Sequence, residues 1–308
     1  MGTLRICLFF FLVGLCSLAA PHGAAAKMTA RIQSSPQVPA MYHSLMLSCE
    51  VTGDPGPKEF LWKKEGIHKP LQHGPSDILL FRSFNKTHLG TYTCMVTSPW
   101  GTAVATYNLW VDDLMNKAFV FPRASNDSHV LLQARPEHPL LNFTVCLRSY
   151  TDLTRPYSLF SYATKAQDNE ILLFKPKPTE YQFYVGGEYV TFRVPESQAE
   201  SERVCVSWES PSGIVRFWLN GRPWPRKGLQ KGYEVGNEAV VMLGQEQDAY
   251  GAGFDILQSF TGEISDVYMW DAGLTNREVR MLEYTELDLI PIFGWRNFPY
   301  KIEGEVYL

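Results

Sequence analysis

The densest run of oxygen-bearing side chains lies between Leu243 and Gln258. An apolar stretch ends in Gln245-Glu246-Gln247-Asp248, a loop containing Gly251 and Gly253 follows, and a carboxylate and a carboxamide return at Asp255 and Gln258. Calcium takes about six to eight oxygen ligands from carboxylates, amide oxygens and backbone carbonyls, and a flexible loop accommodates that number. Glu246 and Asp248 share one face if the strand continues through them. Two carboxylates so placed raise each other's pKa unless a cation neutralises them. The segment is not an EF-hand, because it lacks the alternating Asp or Asn pattern with a central Gly and a closing Glu. Taken alone, it fits either a calcium site or a solvated acidic turn. A second acidic patch, Gln167-Asp168-Asn169-Glu170, precedes the apolar run Ile171 to Phe174, and spacing does not place it beside the first.

Other chemistry fits less well. A glycosidase would need a pair of carboxyls about 5 Å apart with one free to act as acid, and Ala249 and Tyr250 supply no further acid next to Glu246-x-Asp248. The seven histidines form no H-E-x-x-H motif, and no paired-Cys zinc pattern is present. The residues therefore point to binding, not to an enzyme. A formal net charge of -4 and a pI near 6.0 give no basic field for nucleic acid. Any anion must be caught locally.

These residues need a scaffold. The chain has 308 residues, 45% hydrophobic and 19% charged, enough for packed cores in about two domains. Residues 1–26 read as a secretory signal peptide, with Arg5, the apolar run Ile6 to Leu18, and Ala24-Ala25-Ala26 before Lys27. No later stretch approaches the roughly 18 apolar residues of a membrane span. The expected location is secreted and extracellular. Cys7 and Cys16 leave with the signal; the four remaining cysteines allow three pairings, of which the domain reading favours Cys49 with Cys94 and Cys146 with Cys205. Secretion also makes Asn85, Asn126 and Asn142, each opening an N-x-S/T sequon, glycosylation candidates.

From residue 27 to 112, short apolar runs alternate with turn signals such as Asp54-Pro55-Gly56-Pro57. Cys49, Trp62, Tyr92 and Cys94 fall in the order and at the offsets of an immunoglobulin-like sandwich, in which the tryptophan packs on the disulfide and the tyrosine hydroxyl pins a corner. A join at 113–115 leads into residues 116–308. Their β-branched and aromatic runs, bounded by Gly, Pro, Asn or Asp, suit two antiparallel sheets of a jelly roll. One short helix is expected, with Thr275 as N-cap and Glu278 completing a capping box, and with Val279, Leu282 and Leu287 facing the sheet.

Residues 116–308 resemble the pentraxins, most closely the short ones. The matches include Lys117-Ala118-Phe119-Val120-Phe121-Pro122, Phe143-Thr144-Val145-Cys146, Phe160-Ser161-Tyr162-Ala163-Thr164, Asp168-Asn169-Glu170, Val204-Cys205-Val206-Ser207-Trp208-Glu209-Ser210, Leu243 to Asp248 and Met269-Trp270-Asp271. The family signature is His-x-Cys-x-Ser/Thr-Trp-x-Ser/Thr; Arg203 replaces its His, a change read as harmless to the fold. The resemblance implies an all-β chain, an immunoglobulin-like sandwich followed by a concanavalin-like jelly roll with one short helix. It also implies two calcium ions. Asp168, Asn169, Glu246, Asp248 and the main-chain carbonyl of Gln247 would hold the first; Glu246, Asp248, Asp255 and Gln258 would hold the second. The four carboxylates Asp168, Glu246, Asp248 and Asp255 would nearly neutralise the ions, leaving open positions for an anionic phosphate or carboxylate.

Selectivity would come from a rim of Phe174, Tyr184 and Tyr189. Phosphocholine-binding members carry a small threonine in place of Tyr184 and a glutamate in place of Tyr189, so these residues favour phosphoethanolamine-like anions over phosphocholine. The implied function is calcium-dependent pattern recognition of microbial or damaged-cell surfaces in innate immunity. The implied partners are four further copies in a homopentamer and, downstream, complement or Fc receptors. A rival reading makes the immunoglobulin-like domain lead, as an interaction or adhesion module, with calcium only structural.

Overall fold

The computed structural model describes residues 28–111, 114–133, 135–196, 200–282, 284, 287, 289–296 and 298–308. The expected signal peptide 1–26 and part of the expected join, Asp113, lie outside the described residues.

The N-terminal part is a two-sheet sandwich. One sheet is ordered Thr29–Ser35, Leu45–Thr52, Ile78–Phe81, and the other Gln72–Gly74, Glu59–Lys64, Gly90–Ser98, Gly101–Leu109. Alternation puts Leu45, Leu47 and Cys49 on the inner face of one sheet and Tyr92, Cys94 and Val96 on that of the other, all almost fully buried. The Cys49–Cys94 disulfide therefore joins the sheets. Trp62, fully buried, stands opposite Cys94 in the strand register.

Tyr92 donates its hydroxyl hydrogen to the His88 carbonyl oxygen at 2.6 Å. Burial pushes its phenol up to about 12. Because the folded value lies above the ordinary 10, this contribution is complete below pH 10 and lost as pH rises through about 12. Tyr92→Phe should lower stability by about 1–2 kcal/mol and remove that alkaline dependence. Chemical denaturation at pH 8 and pH 11 checks this, and an unchanged pH slope would refute the assignment.

The C-terminal part packs two seven-stranded sheets over one large core. The first runs Arg222–Pro223, Ile214–Leu219, Glu202–Glu209, Asn142–Tyr150, Gly262–Trp270, Phe119–Phe121, with Lys227–Gly228 also paired to Ile214–Leu219. The second runs Glu188–Arg193, Glu180–Val185, Ile171–Lys177, Tyr157–Thr164, Ala239–Leu243, His129–Leu132, Tyr300–Glu303. Leu114, placed by sequence in the join, is buried in this core and donates its N–H to the Arg296 carbonyl.

Cys146 and Cys205 are register partners on adjacent strands and form the second disulfide. It lies outside the main core, under Trp218, Trp270, Leu274 and Val279. The helix Asn276–Met281 covers it, with Thr275 and Glu278 making the expected capping box and Val279 buried. Arg203 does more than tolerate the place of a histidine. Its guanidinium donates to Asp266 Oδ2 at 2.7 Å and to the Leu282 carbonyl at 2.6 Å, so it ties the helix end to the sheet. Arg148 shares the same Asp266 carboxylate.

Candidate functional site

The rim candidates stand on the outer face of the second sheet, and the acidic segment packs against it. In Glu180–Val185, Tyr181, Phe183 and Val185 enter the core, so Gln182 and Tyr184 must face outward. Register carries that face across the sheet: Tyr184 opposes Tyr189 on one side and Leu172 on the other, and Gln182 opposes Phe174. Leu172 opposes Ser161, and Ser161 opposes Met242. Leu172 and Met242 are nevertheless almost fully buried, so something covers them.

The segment after Ala239–Leu243 lies against this face. Gln247 Nε2 donates to the Ser161 carbonyl at 3.2 Å, to Ser161 Oγ at 3.1 Å and to the Val240 carbonyl at 3.1 Å, while its Oε1 accepts from Gly251 N at 2.9 Å. Gln245 Nε2 donates to the carbonyls of Ser125 and Ser128 at 2.9 and 3.1 Å. Both carboxamides are fully buried staples. Sequence reading gives Gln247 a main-chain carbonyl role and Gln245 a place in an oxygen-rich run; the stapling by their side chains to Ser161 and Ser125 has no signal in it.

Between the staples, Glu246 is 4% exposed. Its carboxyl is pushed up to about 7, first by burial and then by the charges of Asp248 and Asp168, with a hydrogen bond from Asn169 opposing the rise. The fold thus brings Asp168 and Asn169 to Glu246 and Asp248, which spacing alone did not do. Asp255 is the N-cap and Gln258 the last residue of a short 3-10 turn, Ile256–Gln258, packed against Tyr157–Thr164. Asp255 Oδ1 caps that turn by accepting from Leu257 N at 2.9 Å.

Three acceptor oxygens of the set, Asn169 Oδ1, Glu246 Oε2 and Gln258 Oε1, are buried with no hydrogen-bond partner. Buried polar atoms are ordinarily satisfied, and Asn169 lies against Glu246, so the orphaned acceptors of these two point to a missing donor or cation. Among the described residues, no three His, Cys, Asp or Glu side chains are gathered as a metal group. The carboxylates Asp168, Glu246, Asp248 and Asp255 are thus not closed into a metal cage by themselves, and carboxamide and main-chain oxygens would have to complete the set. That donor chemistry, all oxygen and excess negative, suits calcium rather than zinc.

The rim residues stand on the same face. Tyr184 and Tyr189 pack ring to ring at 4.8 Å, Tyr184 donates its hydroxyl hydrogen to Gln182 Oε1 at 3.0 Å, and burial, Tyr189 and Glu246 together raise its phenol. Phe174 and Tyr184 are half-buried and outside the core cluster; Tyr189 is exposed. Of the sequon asparagines, Asn126 is exposed, while Asn85 and Asn142 are half-buried.

Residues 117–308 match the Pentaxin family and residues 30–98 an immunoglobulin domain. Serum amyloid P-component of Cavia porcellus is 47% identical over 210 residues, covering 67% of this chain and 94% of that protein. Mucosal pentraxin of Rattus norvegicus is 56% identical over 194 residues, 63% of this chain and 87% of that protein. A native heptameric SAP-like pentraxin from Limulus polyphemus superposes with a TM-score of 0.56 at 24% identity, covering 62% of this chain and 93% of that one, a likeness of fold.

Proposed function

The chain belongs to the pentraxin family, and from that premise we propose that it is a secreted recognition protein capturing phosphate- or carboxylate-bearing ligands at a calcium site. Asp168, Asn169, Glu246, Gln247, Asp248, Asp255 and Gln258 would hold two ions. The observation that carries this reading is Glu246: a carboxylate 4% exposed, crowded by Asp168 and Asp248, with Oε2 unpartnered. Such an arrangement is unfavourable without a cation. Bound calcium would supply a positive field and open coordination positions for an anion.

The chain's own residues do the rest. Gln245 and Gln247 hold the acidic segment to the sheet, so the carboxylates are presented in a fixed frame. The paired rings of Tyr184 and Tyr189 crowd the rim and offer no carboxylate to a quaternary ammonium. This favours a phosphoethanolamine-like headgroup over phosphocholine. Assembly into a cyclic homopentamer belongs to the same proposal, since repeated sites on one face turn weak single contacts into avidity on microbial or damaged-cell surfaces. Complement and Fc receptors are its proposed downstream partners.

The protein should be retained on immobilised phosphoethanolamine in calcium and elute with chelator, with free phosphocholine competing at least about tenfold more weakly than free phosphoethanolamine. Tyr184→Thr with Tyr189→Glu should narrow or reverse that preference. Light scattering of the same preparation should give the mass of five protomers. An adhesion protein led by the immunoglobulin-like domain is the second reading, favoured by Trp100 and Trp110, 78% and 65% exposed. It predicts no retention and no effect of chelator.

A further inference from the structure

Between Asp255 and Gln258 stand two aliphatic side chains that the calcium reading leaves unused. Ile256 is 47% exposed and Leu257 67%. A single exposed leucine is commonplace. These two are adjacent, and the backbone presenting them is tied down at several points. Leu257 N donates to Asp255 Oδ1 at 2.9 Å and Gln258 N to the Asp255 carbonyl at 2.9 Å. Ser259 Oγ donates to the Ile256 carbonyl at 2.8 Å. Arg155 Nη1 donates to the Leu257 carbonyl at 3.1 Å and to the Ser259 carbonyl at 2.6 Å. A turn held this firmly has no slack to fold its two aliphatic side chains inward, so their exposure is built into the fold.

The surroundings extend the pattern. Tyr250 sits at the tip of the same loop, 38% exposed, where Ala249 and Ala252 bridge and Lys165 Nζ lies 5.9 Å from its ring centroid. An aliphatic pair on a rigid turn, Arg155 against that turn, and a tyrosine at the tip of the same loop with Lys165 over its ring are residue types that enter a bilayer interface. Aliphatic groups bury below the headgroups, tyrosine rings sit at headgroup level, and cations are drawn to anionic lipid. A soluble phosphate compound would offer the same headgroup chemistry but no apolar phase to receive Ile256 and Leu257.

Resting on the calcium reading above, we infer that the 250–258 loop docks onto a phospholipid bilayer, with Ile256 and Leu257 entering the interface while the adjoining site engages a lipid phosphate. The test uses the full chain in calcium with vesicles of phosphatidylcholine, phosphatidylethanolamine and phosphatidylserine, the last supplying the anionic lipid. The Ile256→Ser/Leu257→Ser variant should lose at least about tenfold in vesicle affinity, while its retention on immobilised phosphoethanolamine and its thermal stabilisation by calcium stay unchanged. Equal co-sedimentation of variant and wild type overturns the inference. Absence of any calcium effect on retention in the wild type overturns the calcium reading instead, and the inference with it. A second measurement places a polarity-sensitive dye on Leu257→Cys. Its emission should rise with vesicles in calcium and not with soluble phosphoethanolamine; no rise with vesicles also overturns the inference.

Discussion

Glu246→Gln is expected to abolish calcium-dependent stabilisation, lowering calcium affinity at least about 100-fold, because a charged ligand proposed to serve both ions becomes a neutral one. The same change should make the metal-free protein more tolerant of neutral and alkaline pH. In the folded chain this carboxyl is held near about 7 by burial and by Asp248 and Asp168, above its ordinary value of 4.5. A raised carboxyl pKa means that the folded state binds the proton more tightly than the unfolded one. Its contribution is therefore complete below pH 4.5 and lost as pH climbs through about 7, amounting to at most about 3 kcal/mol. Protons and calcium then compete for one group, so calcium affinity should fall as pH drops below 7. Denaturation of wild type and variant at pH 5 and pH 8, with calcium and with chelator, reads all of this. Equal calcium stabilisation of the two proteins would sink the assignment of Glu246.

Gly244→Ala should be at least as damaging, and from a position that touches no ion. Gly244 has φ +86°, a backbone conformation strained for any residue with a Cβ. A Cβ there would lie 2.3 Å from Phe121 Cε1 and 2.8 Å from its Cζ. Phe121 is 1% exposed and set edge-on to Phe260 at 5.5 Å, and Phe260 N donates to the Gly244 carbonyl at 2.9 Å, so the ring has nowhere to go. Backbone strain and overpacking together should cost about 3 kcal/mol or more, on the order of 10 °C in Tm for a domain of this size. Because Gly244 leads directly into Gln245, calcium affinity should fall as well. Gly251→Ala is the control. Its φ is +74° but its nearest neighbour is Val240 at 3.8 Å, so it carries the strain without the clash. Should Gly244→Ala prove no worse than Gly251→Ala, the crowding argument fails.

The two parts of the molecule differ in how openly their sequences declare them. Cys49, Trp62, Tyr92 and Cys94 announce the N-terminal sandwich because a disulfide between sheets, a ring packed on it and a hydroxyl closing a corner all constrain residue type at set offsets. Thr275 and Glu278 announce the helix because a capping box is local, its donors and acceptors lying within one turn. The acidic run at Glu246 and Asp248 was equally visible, and its oxygen-rich composition already limited the cation it would suit.

What sequence alone could not do was join distant segments. Asp168 reaches Glu246 because Ile171–Lys177 pairs with Tyr157–Thr164, which pairs with Ala239–Leu243, and only the pentraxin resemblance anticipated that. The roles of Gln247, stapled to Ser161, and of Arg203, tied to Asp266 and the helix end, were not legible. Side-chain bonds between residues far apart in the chain leave no periodicity behind. By itself, then, the sequence determined the residue chemistry: β-forming runs, local caps, paired cysteines and an excess of oxygen donors. The tertiary structure decided which donors meet, how deeply Glu246 is buried, and which side chains stand exposed around it. Those depend on long-range strand register and solvent exclusion, properties of the packed chain and not of any one stretch of it.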